Sequence, residues 1–390
     1  MKATGIVAEY NPFHKGHALH LNKTKEALAE PIIACMSGSF VQRGEPAFLD
    51  KWTRAKLAVE EGINLVLELP TCFTLRSAEF FAHGSVELLA ATGLVTNISC
   101  GAEHPELNYP ALAEKYFLTE TQAALKNYLQ AGCSYAAAME KALGQALASP
   151  NDILAFEYAK ACKKLNLKLH TFKREGSAYK EEKLTDLASA SAIRKAYYEG
   201  NTLGLSESLP KAVSEVLKQK PAGYDHAKLW QLIEYALITK TAEEIANSSE
   251  CSEGLENLIK DAQEAKSLAE ALKLCTKKRY PTSRIQRLLT QLIFNKDRSY
   301  FSIEHPAYIR VLAFDDTGRE LLKAMKEKAS LPIITKLGQH PFDEQSEAFK
   351  KSLELDILAS NLRELVSNAE LQLNKDFLMS PYYKKIKAEQ

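Results

Sequence analysis

Short apolar segments alternate with helical patterns through the first half of this 390-residue chain. A run of about six apolar residues suits a buried strand, and the stretches between the runs have the 3.6-residue spacing of helices. Strands that alternate with helices form βαβ units, so the sequence predicts an α/β fold built on a parallel sheet. The predicted strands are Ala3 to Ala8, Pro31 to Met36, Asn64 to Leu69, Val95 to Cys100 and Leu167 to Phe172, and the predicted helices include Asp50 to Glu61 and Ser77 to Thr92.

The segment Glu9 to His17 lies between the first predicted strand and a helical pattern. If the helix begins near His14, then His14 and His17 share one face of its first turn. Unpaired backbone N–H groups and the helix dipole favour an anion there, and two imidazoles can donate to a triphosphate. Gly16 has no Cβ, so a ribose or base edge could approach the helix backbone. The pattern resembles the His-x-Gly-His signature of the nucleotidyltransferase and class I aminoacyl-tRNA synthetase superfamily, which implies that both histidines stabilise charge as the α-phosphorus is attacked and pyrophosphate leaves.

Two other interpretations of these histidines stay open. They could be solvated side chains at an ordinary helix terminus. They could also bind zinc, because His14, His17 and His20 follow one another at three-residue steps. No cysteine or carboxylate lies at ligand spacing beside them, and the four-residue step of helical zinc pairs is absent, so the sequence favours no metal here.

Ligands bind at the carboxyl ends of strands in such a sheet, and several unusual segments lie there. The long connection Ser37 to Ala47 contains Arg43 and precedes Lys51 and Arg54; it is either a substrate loop or a solvated βα connection.

Three further positions follow predicted strands or begin a helix. Gly101 would allow a ligand to approach closely or would form a simple turn. Asn151 or Asp152 would cap a helix, with or without a ligand. Arg174, followed by Gly176, can bind phosphate through its forked guanidinium or remain a surface charge.

A second anion site is predicted where Ser189, Ser191 and Arg194 begin a helix. Hydroxyls at a helix N-terminus with an arginine one turn later suit phosphate, although serine capping alone is common. The segment resembles the Ser-Ser/Thr-x-x-Arg/Lys element with which nucleotidyltransferases hold the β- and γ-phosphates. Ala190 separates the two hydroxyls, so the resemblance supports Ser191 and Arg194 more than Ser189.

Charge and cysteine content set limits on the class of protein. The net charge of +1 means that any nucleic-acid binding depends on a local basic patch. The 7 cysteines are scattered without a C-x-x-C pair, as expected for reduced thiols in a cytoplasmic protein. No apolar run approaches the ~18 residues that cross a bilayer, so no membrane association is expected.

From about residue 206 the strand-like runs give way to helical spacing. We therefore predict two domains: residues 1–205 form the nucleotide-binding α/β domain, and residues 206–390 form a mostly helical domain.

Three segments of the second domain contain candidate functional residues. Lys277 to Arg287 gathers five cations around Tyr280, including Lys278, Arg279, Arg284 and Arg287, and suits an RNA backbone or a solvated basic face. Asp315 to Arg319 would be a turn that caps a helix from Arg319 to Lys328, or a phosphate or metal loop. Lys384, Lys385 and Lys387 could add RNA affinity or form a frayed tail.

Several motifs together resemble the bacterial tRNA(Met) cytidine acetate ligase family. They are Tyr10-Asn-Pro-Phe-His-x-Gly-His17, Met36-Ser-Gly-Ser-Phe-Val-Gln-Arg-Gly-Glu-Pro46, Leu67-Glu-Leu-Pro70, Asn151-Asp-Ile-Leu-Ala155, Ser189-Ala-Ser-Ala-Ile-Arg194 and Phe314-Asp-Asp-Thr-Gly-Arg-Glu-Leu321. The resemblance implies a Rossmann-like sheet of the HIGH superfamily, ATP-dependent activation of acetate to acetyl-adenylate, and acetylation of the wobble cytidine of elongator tRNA(Met).

The resemblance also implies a set of site residues. Catalytic roles would fall to His14, His17, Ser191 and Arg194. ATP contacts would fall to Val7, Ala8, Glu9, Asn11, Phe13, His14, Gly16, His17, His20, Gly101, Asn151 and Arg174. Mg²⁺ should accompany the triphosphate, held mainly by phosphate and water, and no structural metal is expected.

Two other functions remain open on the sequence. One is an adenylyltransferase that joins AMP to a small phosphorylated metabolite, and the other is a non-catalytic tRNA-binding protein with a vestigial nucleotide fold. A helical domain with a basic cluster favours the tRNA-modifying ligase over the metabolite enzyme.

Overall fold

The computed structural model describes residues 1–133, 135–147, 149–175, 187–219, 221–252, 254–277, 280–339 and 344–385. Gly176, Lys278, Arg279 and Lys387, each named above as part of a candidate segment, lie outside the described residues.

One mixed sheet organises the described residues. Its strand order is β5-β4-β1-β2-β3-β6-β7, and β8 pairs with β6. The first five strands are parallel to one another, whereas β6 runs antiparallel to β3. The strands are β1 (Ala3–Ala8), β2 (Ile32–Ser37), β3 (Leu65–Leu69), β4 (Val95–Ala102), β5 (Lys168–Lys173), β6 (Ile309–Asp315), β7 (Ile333–Ile334) and β8 (Tyr382–Lys384).

Helices cover both faces of the sheet and make up most of the second half of the chain. Those of the first half are α1 (Lys15–Leu28), α2 (Lys51–Glu60), α3 (Thr71–Thr74), α4 (Ala78–Ala90), α5 (Tyr109–Tyr116), α6 (Thr119–Gln130), α7 (Tyr135–Leu143), α8 (Pro150–Leu165) and α9 (Ala190–Tyr198). Those of the second half are α10 (Thr202–Ser208), α11 (Lys211–Gln219), α12 (His226–Thr239), α13 (Ala242–Ala246), α14 (Leu255–Asp261), α15 (Leu268–Cys275), α16 (Thr282–Leu292), α17 (Arg298–Phe301), α18 (Asp316–Lys328), α19 (Glu347–Val366) and α20 (Lys375–Leu378), with short 3₁₀ turns at Ala262–Glu264 and Leu337–Gln339.

The predicted α/β fold is confirmed, and all five predicted strands are present within two residues of their expected ends. Alternate residues of β2 show why this sheet is buried on both faces. Ile33 and Cys35 belong to one apolar cluster, whereas Ile32 and Ala34 belong to another. Because successive side chains of a strand point to opposite faces, both faces are covered, which explains the continuous apolar runs.

Two helices begin where the sequence predicts. The Asp50 carboxylate accepts a hydrogen bond from the Thr53 N–H at 3.0 Å, and α2 begins at the next residue. Ser77 occupies the N-cap position of α4, although its hydroxyl makes no capping bond. The predicted cap of α8 is wrong by two to three residues, because Ser149 is the N-cap and Pro150 already lies in the first turn.

The interpretation that strands cease before residue 206 is wrong. β6, β7 and β8 all come from the second half and extend the same sheet, which therefore spans the predicted boundary between residues 205 and 206. Arg310 interrupts the apolar run of β6, yet it is buried between Glu68 and Asp376, to which it approaches within 3.5 and 2.6 Å. Because this buried arginine interrupts the apolar pattern, the sequence did not predict β6. The two-domain division itself stays a prediction.

The segment at Asp315 caps a helix as predicted, but that helix begins earlier than predicted. The Asp315 carboxylate accepts from the Gly318 N–H at 2.8 Å and caps α18, which begins at Asp316 and not at Arg319. Gly318 is required there because a Cβ would lie 1.9 Å from the backbone oxygen of Asn64. This segment is a helix cap packed on the sheet edge, so the phosphate-loop alternative is not needed to explain it.

Among the described residues, no helix is both long and apolar enough to cross a membrane.

Candidate active site

The His14 side chain folds back onto the first turn of α1. His14 is the N-cap, and its Nδ1 accepts a hydrogen bond from the Gly16 N–H at 3.1 Å. In return the His14 N–H donates to Nδ1 of His17 at 3.2 Å. In the usual capping box, a Ser or Thr side chain and a Glu side chain accept hydrogen bonds from backbone N–H groups at the start of the helix. Here two imidazole rings accept those hydrogen bonds. The prediction that this helix begins near His14 is confirmed.

Gly16 serves this fold-back directly. A Cβ at Gly16 would lie 2.9 Å from Cε1 of the His14 ring, so any other residue would push the ring away. The Gly16 N–H is already used by His14, which removes one of the backbone donors that the sequence analysis assigned to an anion. The approach of a ribose or base to Gly16 stays a prediction.

These hydrogen bonds determine which nitrogen of each histidine can meet a ligand. Because Nδ1 accepts in both rings, Nδ1 has no proton and Nε2 must have one in the neutral form. The rings of His14 and His17 are stacked with centroids 3.8 Å apart and planes at 29°. The result is a pair of adjacent Nε2–H donors on one face of the α1 N-terminus.

Burial keeps the three histidines of α1 neutral. Burial and the Arg174 charge lower the pKa of His14 to about 3. Burial, His14 and Arg174 hold the pKa of His17 well below its usual value. Burial, Arg174 and Lys23 lower the pKa of His20 to about 4, and its Nε2 lies 3.0 Å from the Ser99 hydroxyl. At neutral pH these rings are therefore hydrogen-bonding groups without net charge.

Asn11 connects the histidine segment to the second predicted anion site. Its side-chain oxygen accepts from the Phe48 N–H at 2.7 Å, and its backbone oxygen accepts from Nη1 of Arg194 at 2.9 Å. The Asn11–Pro12 peptide bond is cis. Phe13 is buried and its ring centroid lies 5.5 Å from that of His17. The histidine and serine segments, 175 residues apart in the chain, thus lie side by side.

The serine segment begins α9 as expected. Ser189 is the N-cap, and its hydroxyl accepts from the Ala192 N–H at 3.3 Å and lies 3.0 Å from the hydroxyl of Ser191. Capping therefore accounts for Ser189, whereas Ser191 is only partly buried in the first turn. Arg194 also lies 3.3 Å from the Glu45 carboxylate, so part of its charge is neutralised within the protein. Phosphate binding by Ser191 and Arg194 stays a prediction.

The loop Ser37 to Ala47 closes over the segment that precedes α1. The Gln42 N–H donates to the Glu9 carboxylate at 2.7 Å. Burial raises the pKa of Glu9, opposed by this hydrogen bond and by Arg194 and Arg43. Arg54, which follows the predicted substrate loop, is buried and donates to backbone oxygens of the site, including that of Glu9 at 2.5 Å. Sequence spacing did not reveal this structural role.

Arg174, Asn151 and Gly101 converge beside the α1 histidines. Nη1 of Arg174 lies 3.4 Å from the Asn151 side-chain oxygen, and a Cβ at Gly101 would meet Cγ of Arg174 at 2.9 Å. Glu103, which sequence reasoning missed, accepts from Asn151 at 2.5 Å and lies 3.7 Å from Arg174. Arg174 is nearly half exposed, at 45%, so its guanidinium remains available to a ligand.

Asp152 organises the loop that follows β4 and is not a helix cap. Its carboxylate accepts from the backbone N–H groups of Glu103 and His104 at 3.0 Å and from the Tyr109 hydroxyl at 2.7 Å. Burial alone would raise its pKa, but hydrogen bonds from His104, Ser149 and Tyr109 outweigh burial and lower it to about 2. The ionised Asp152 carboxylate holds the backbone of Glu103 in place by accepting its N–H. The Glu103 side chain in turn positions Asn151, from which it accepts a hydrogen bond.

Val7 and Ala8 end β1 at the same edge of the sheet. They pair with Cys35 and Met36 of β2, so the chain reaches Glu9 at the point where the parallel strands terminate. The sequence-predicted residues at strand ends therefore gather at one edge, as expected for an α/β sheet.

In the basic cluster at the start of α16, the described residues Arg284 and Arg287 are bound to other parts of the protein. Arg287 is buried and its Nη2 lies 2.9 Å from the Glu250 carboxylate. Arg284 donates to the Glu250 backbone oxygen at 3.0 Å and to the Ser252 hydroxyl at 2.6 Å. The interpretation of Arg287 as an RNA contact is wrong, because its charge is neutralised inside the protein. Lys384 is likewise paired, lying 3.3 Å from Glu60.

Comparison with known proteins shows the family of this chain. Residues 1–376 match the model of the HIGH Nucleotidyl Transferase family. A tRNA(Met) cytidine acetate ligase of Clostridium perfringens is 38% identical over 98% of this chain and 99% of its own length. One from a Thermoanaerobacter species is 38% identical over 97% and 98%.

Solved structures show the same architecture. TmcAL of Thermotoga maritima bound with alpha-thio ATP superposes with a TM-score of 0.91 at 30% identity, covering 99% of this chain and 100% of that one. The apo form of the same protein gives a TM-score of 0.92 at 31% identity.

The chain belongs to the HIGH Nucleotidyl Transferase family. Within it, the chain is a member of the tRNA(Met) cytidine acetate ligase family, which the sequence motifs predicted.

Proposed function

We propose that this protein is an ATP-dependent acetate ligase that acetylates the exocyclic amine of the wobble cytidine of elongator tRNA(Met), giving N4-acetylcytidine. The observation that supports this most directly is the pair of stacked, neutral imidazoles at the α1 N-terminus, close enough to Arg174 for its charge to depress their pKa values. Two Nε2–H donors beside a guanidinium suit a triphosphate at the edge where the parallel strands end.

The first step forms acetyl-adenylate. An acetate oxygen attacks the α-phosphorus of ATP, the bond from the α-phosphorus to the bridging oxygen breaks, and pyrophosphate leaves with that electron pair. Negative charge grows on the phosphate oxygens, and His14 and His17 stabilise it by donating from Nε2, without a covalent enzyme intermediate. Arg174 supplies the fixed positive charge that the neutral rings lack.

The close stacking of the two rings has a further consequence for this step. Two imidazolium ions with centroids 3.8 Å apart would repel each other, and His14 is one of the groups that lowers the pKa of His17. Neutral donors avoid that repulsion before the nucleotide arrives. They also cannot trap the released pyrophosphate as tightly as two cations would.

The second step transfers the acetyl group. The exocyclic amine of cytosine is a poor nucleophile, since its lone pair is delocalised into the ring, so free acetate does not react with it. In acetyl-adenylate the carbonyl carbon is activated: the amine attacks, the carbon–oxygen bond to AMP breaks, AMP leaves, and the amine loses a proton. A base in an anticodon loop can reach the site without the cost of opening a duplex.

Mg²⁺ is proposed to accompany the triphosphate. Among the described residues, no set of three histidine, cysteine or carboxylate ligand atoms gathers at the α1 N-terminus. The ion would therefore be coordinated mainly by phosphate oxygens and water, which is common for Mg²⁺.

One assay separates this function from its two alternatives. Pyrophosphate release from ATP is measured with the full chain, with and without acetate and tRNA(Met). Release that depends on acetate, with acetyl transfer to tRNA, supports the ligase. Release that requires a phosphorylated small molecule would identify an adenylyltransferase, and tRNA binding without release would identify a non-catalytic binding protein.

A further inference from the structure

A cluster of two histidines and one glutamate lies outside the nucleotide site. His83 and Glu87 are one turn apart on α4, and His305 lies in the segment between α17 and β6. Ligand atoms of the three side chains all lie within 4.8 Å of one another. It is the one such group of three found within the part of the chain that the structure describes, and the proposed ligase reaction does not use it.

The spacing of these atoms suits a transition-metal ion. Nε2 of His83 is 3.4 Å from one Glu87 carboxylate oxygen, and Nδ1 of His305 is 2.7 Å from the other. With bonds of about 2.0–2.2 Å, neighbouring ligand atoms around tetrahedral zinc lie roughly 3.3–3.6 Å apart. The first distance already falls in that range. The second needs a small outward turn of His305, which 67% exposure of its side chain permits.

Glu87 has unused coordinating capacity in this cluster. Its Oε2 is buried and has no hydrogen-bond partner among the described residues, apart from the 3.4 Å approach of His83. A buried carboxylate oxygen without a donor is costly unless a cation or water satisfies it. The missing hydrogen bond at Oε2 is an observation independent of the spacing. Oε2 is also the Glu87 oxygen that faces His83.

The charges around His83 are compatible with ligation. A histidine binds metal through an unprotonated nitrogen. Burial lowers the pKa of His83, and Lys164 and His305 lower it further, whereas Glu87 and Glu79 oppose this. The carboxylates of Glu87 and Glu79 offset the Lys164 charge near the ring.

We propose that His83, Glu87 and His305 form a Zn²⁺ site. Two imidazoles and one carboxylate are a donor set that zinc accepts with a fourth position left to water. The ion would connect α4, which covers the parallel part of the sheet, to the segment that leads into β6. It would therefore join the first and second halves of the chain.

The test measures zinc binding to the full chain and to variants. Wild-type protein is equilibrated with ZnCl₂ against a chromophoric chelator, and bound zinc is counted after gel filtration. We expect one zinc equivalent that is lost in His305→Ala and His83→Ala, with affinity falling by more than the roughly tenfold that losing even an outer-shell partner costs. His226→Ala, which removes an exposed histidine outside the cluster, should keep that equivalent.

Two further measurements distinguish this site from zinc bound by cysteines or by the α1 histidines. Co²⁺ should give visible absorption that His305→Ala loses and His17→Ala retains. Zinc should also raise the melting temperature of wild-type protein but not of His305→Ala. An equal number of zinc equivalents and equal affinity in wild type and His305→Ala would overturn the proposal, as would a wild-type protein that takes no zinc from the chelator.

Discussion

The N-termini of α1 and α16 use their ring and guanidinium groups in opposite ways. In α1, His14 and His17 each accept a hydrogen bond of the turn through Nδ1, which leaves Nε2 as the nitrogen that can donate to a ligand. In α16, Arg287 donates to the Glu250 carboxylate, which neutralises its charge, and Arg284 donates to the Glu250 backbone oxygen. A site for a ligand needs donors that the fold positions without consuming them.

This difference explains why the histidine segment of α1 predicted its local structure better than the basic cluster of α16 did. The histidine spacing is tied to backbone geometry, since residues three apart share a helix face and a cap must precede the first turn. A count of cations contains no such constraint. Glu250, which is 34 residues from Arg284 in the chain, decides what α16 does, and only tertiary structure brings it there.

The largest expected effect comes from His17→Ala. We expect acetate-dependent ATP–pyrophosphate exchange to fall about 10²- to 10³-fold, as on removal of one oxyanion donor. tRNA binding should change little, and His226→Ala serves as the matched control. An equal loss of tRNA affinity would show that the histidine is structural.

Arg287→Ala tests the opposite assignment for α16. Removing one partner of a buried pair leaves Glu250 uncompensated, so the free energy of unfolding should fall by about 3–5 kcal/mol. Chemical denaturation measures this, and the double variant Arg287→Met with Glu250→Leu should recover much of the loss. Intact stability together with a smaller salt dependence of tRNA binding would make Arg287 an RNA contact after all.

Acid sensitivity tests the neutral state of the α1 histidines. The folded pKa of His14 is about 3 and that of His20 about 4, both below the ordinary 6.5, so the unfolded chain binds more protons between these values. Their contribution to stability is thus full above pH 6.5 and is lost as the pH falls toward 4, at up to ~1.4 kcal/mol per pH unit for each ring. Denaturation curves for wild type and His14→Ala should differ in slope over this window. Parallel slopes would mean that His14 titrates normally in the folded state.

The smallest effect is expected for Arg284→Ala. Arg284 is partly buried and its charged guanidinium donates to two uncharged oxygens, so the loss of stability should be about 1.5–3 kcal/mol, below that of Arg287→Ala. If Arg284 also contacts phosphate, the salt slope of tRNA binding should fall by about 1. An unchanged slope, measured by titration at several salt concentrations, would move the RNA-binding surface away from α16.

Local rules predicted the parallel sheet and the start of α1, because apolar runs and capping residues act within a few positions. β6 was missed because Arg310 breaks its apolar run, and its partners Glu68 and Asp376 are distant in sequence. Glu103 could not be singled out for the same reason, since its role depends on Asn151, 48 residues away. Ion pairs between distant segments are the part of this molecule that a linear pattern does not show.

The central claim is that His14 and His17 are neutral and protonated at Nε2 before the triphosphate binds, so that both can donate to it. The most direct measurement is ¹⁵N NMR of the protein labelled at histidine, titrated from pH 8 to pH 5 with and without an ATP analogue. We predict Nε2-protonated neutral rings throughout the titration of the free protein, with the Nε2 signals shifting when the nucleotide binds. Rings that protonate near pH 6.5 in the free protein, or Nε2 signals that ignore the nucleotide, would contradict the account.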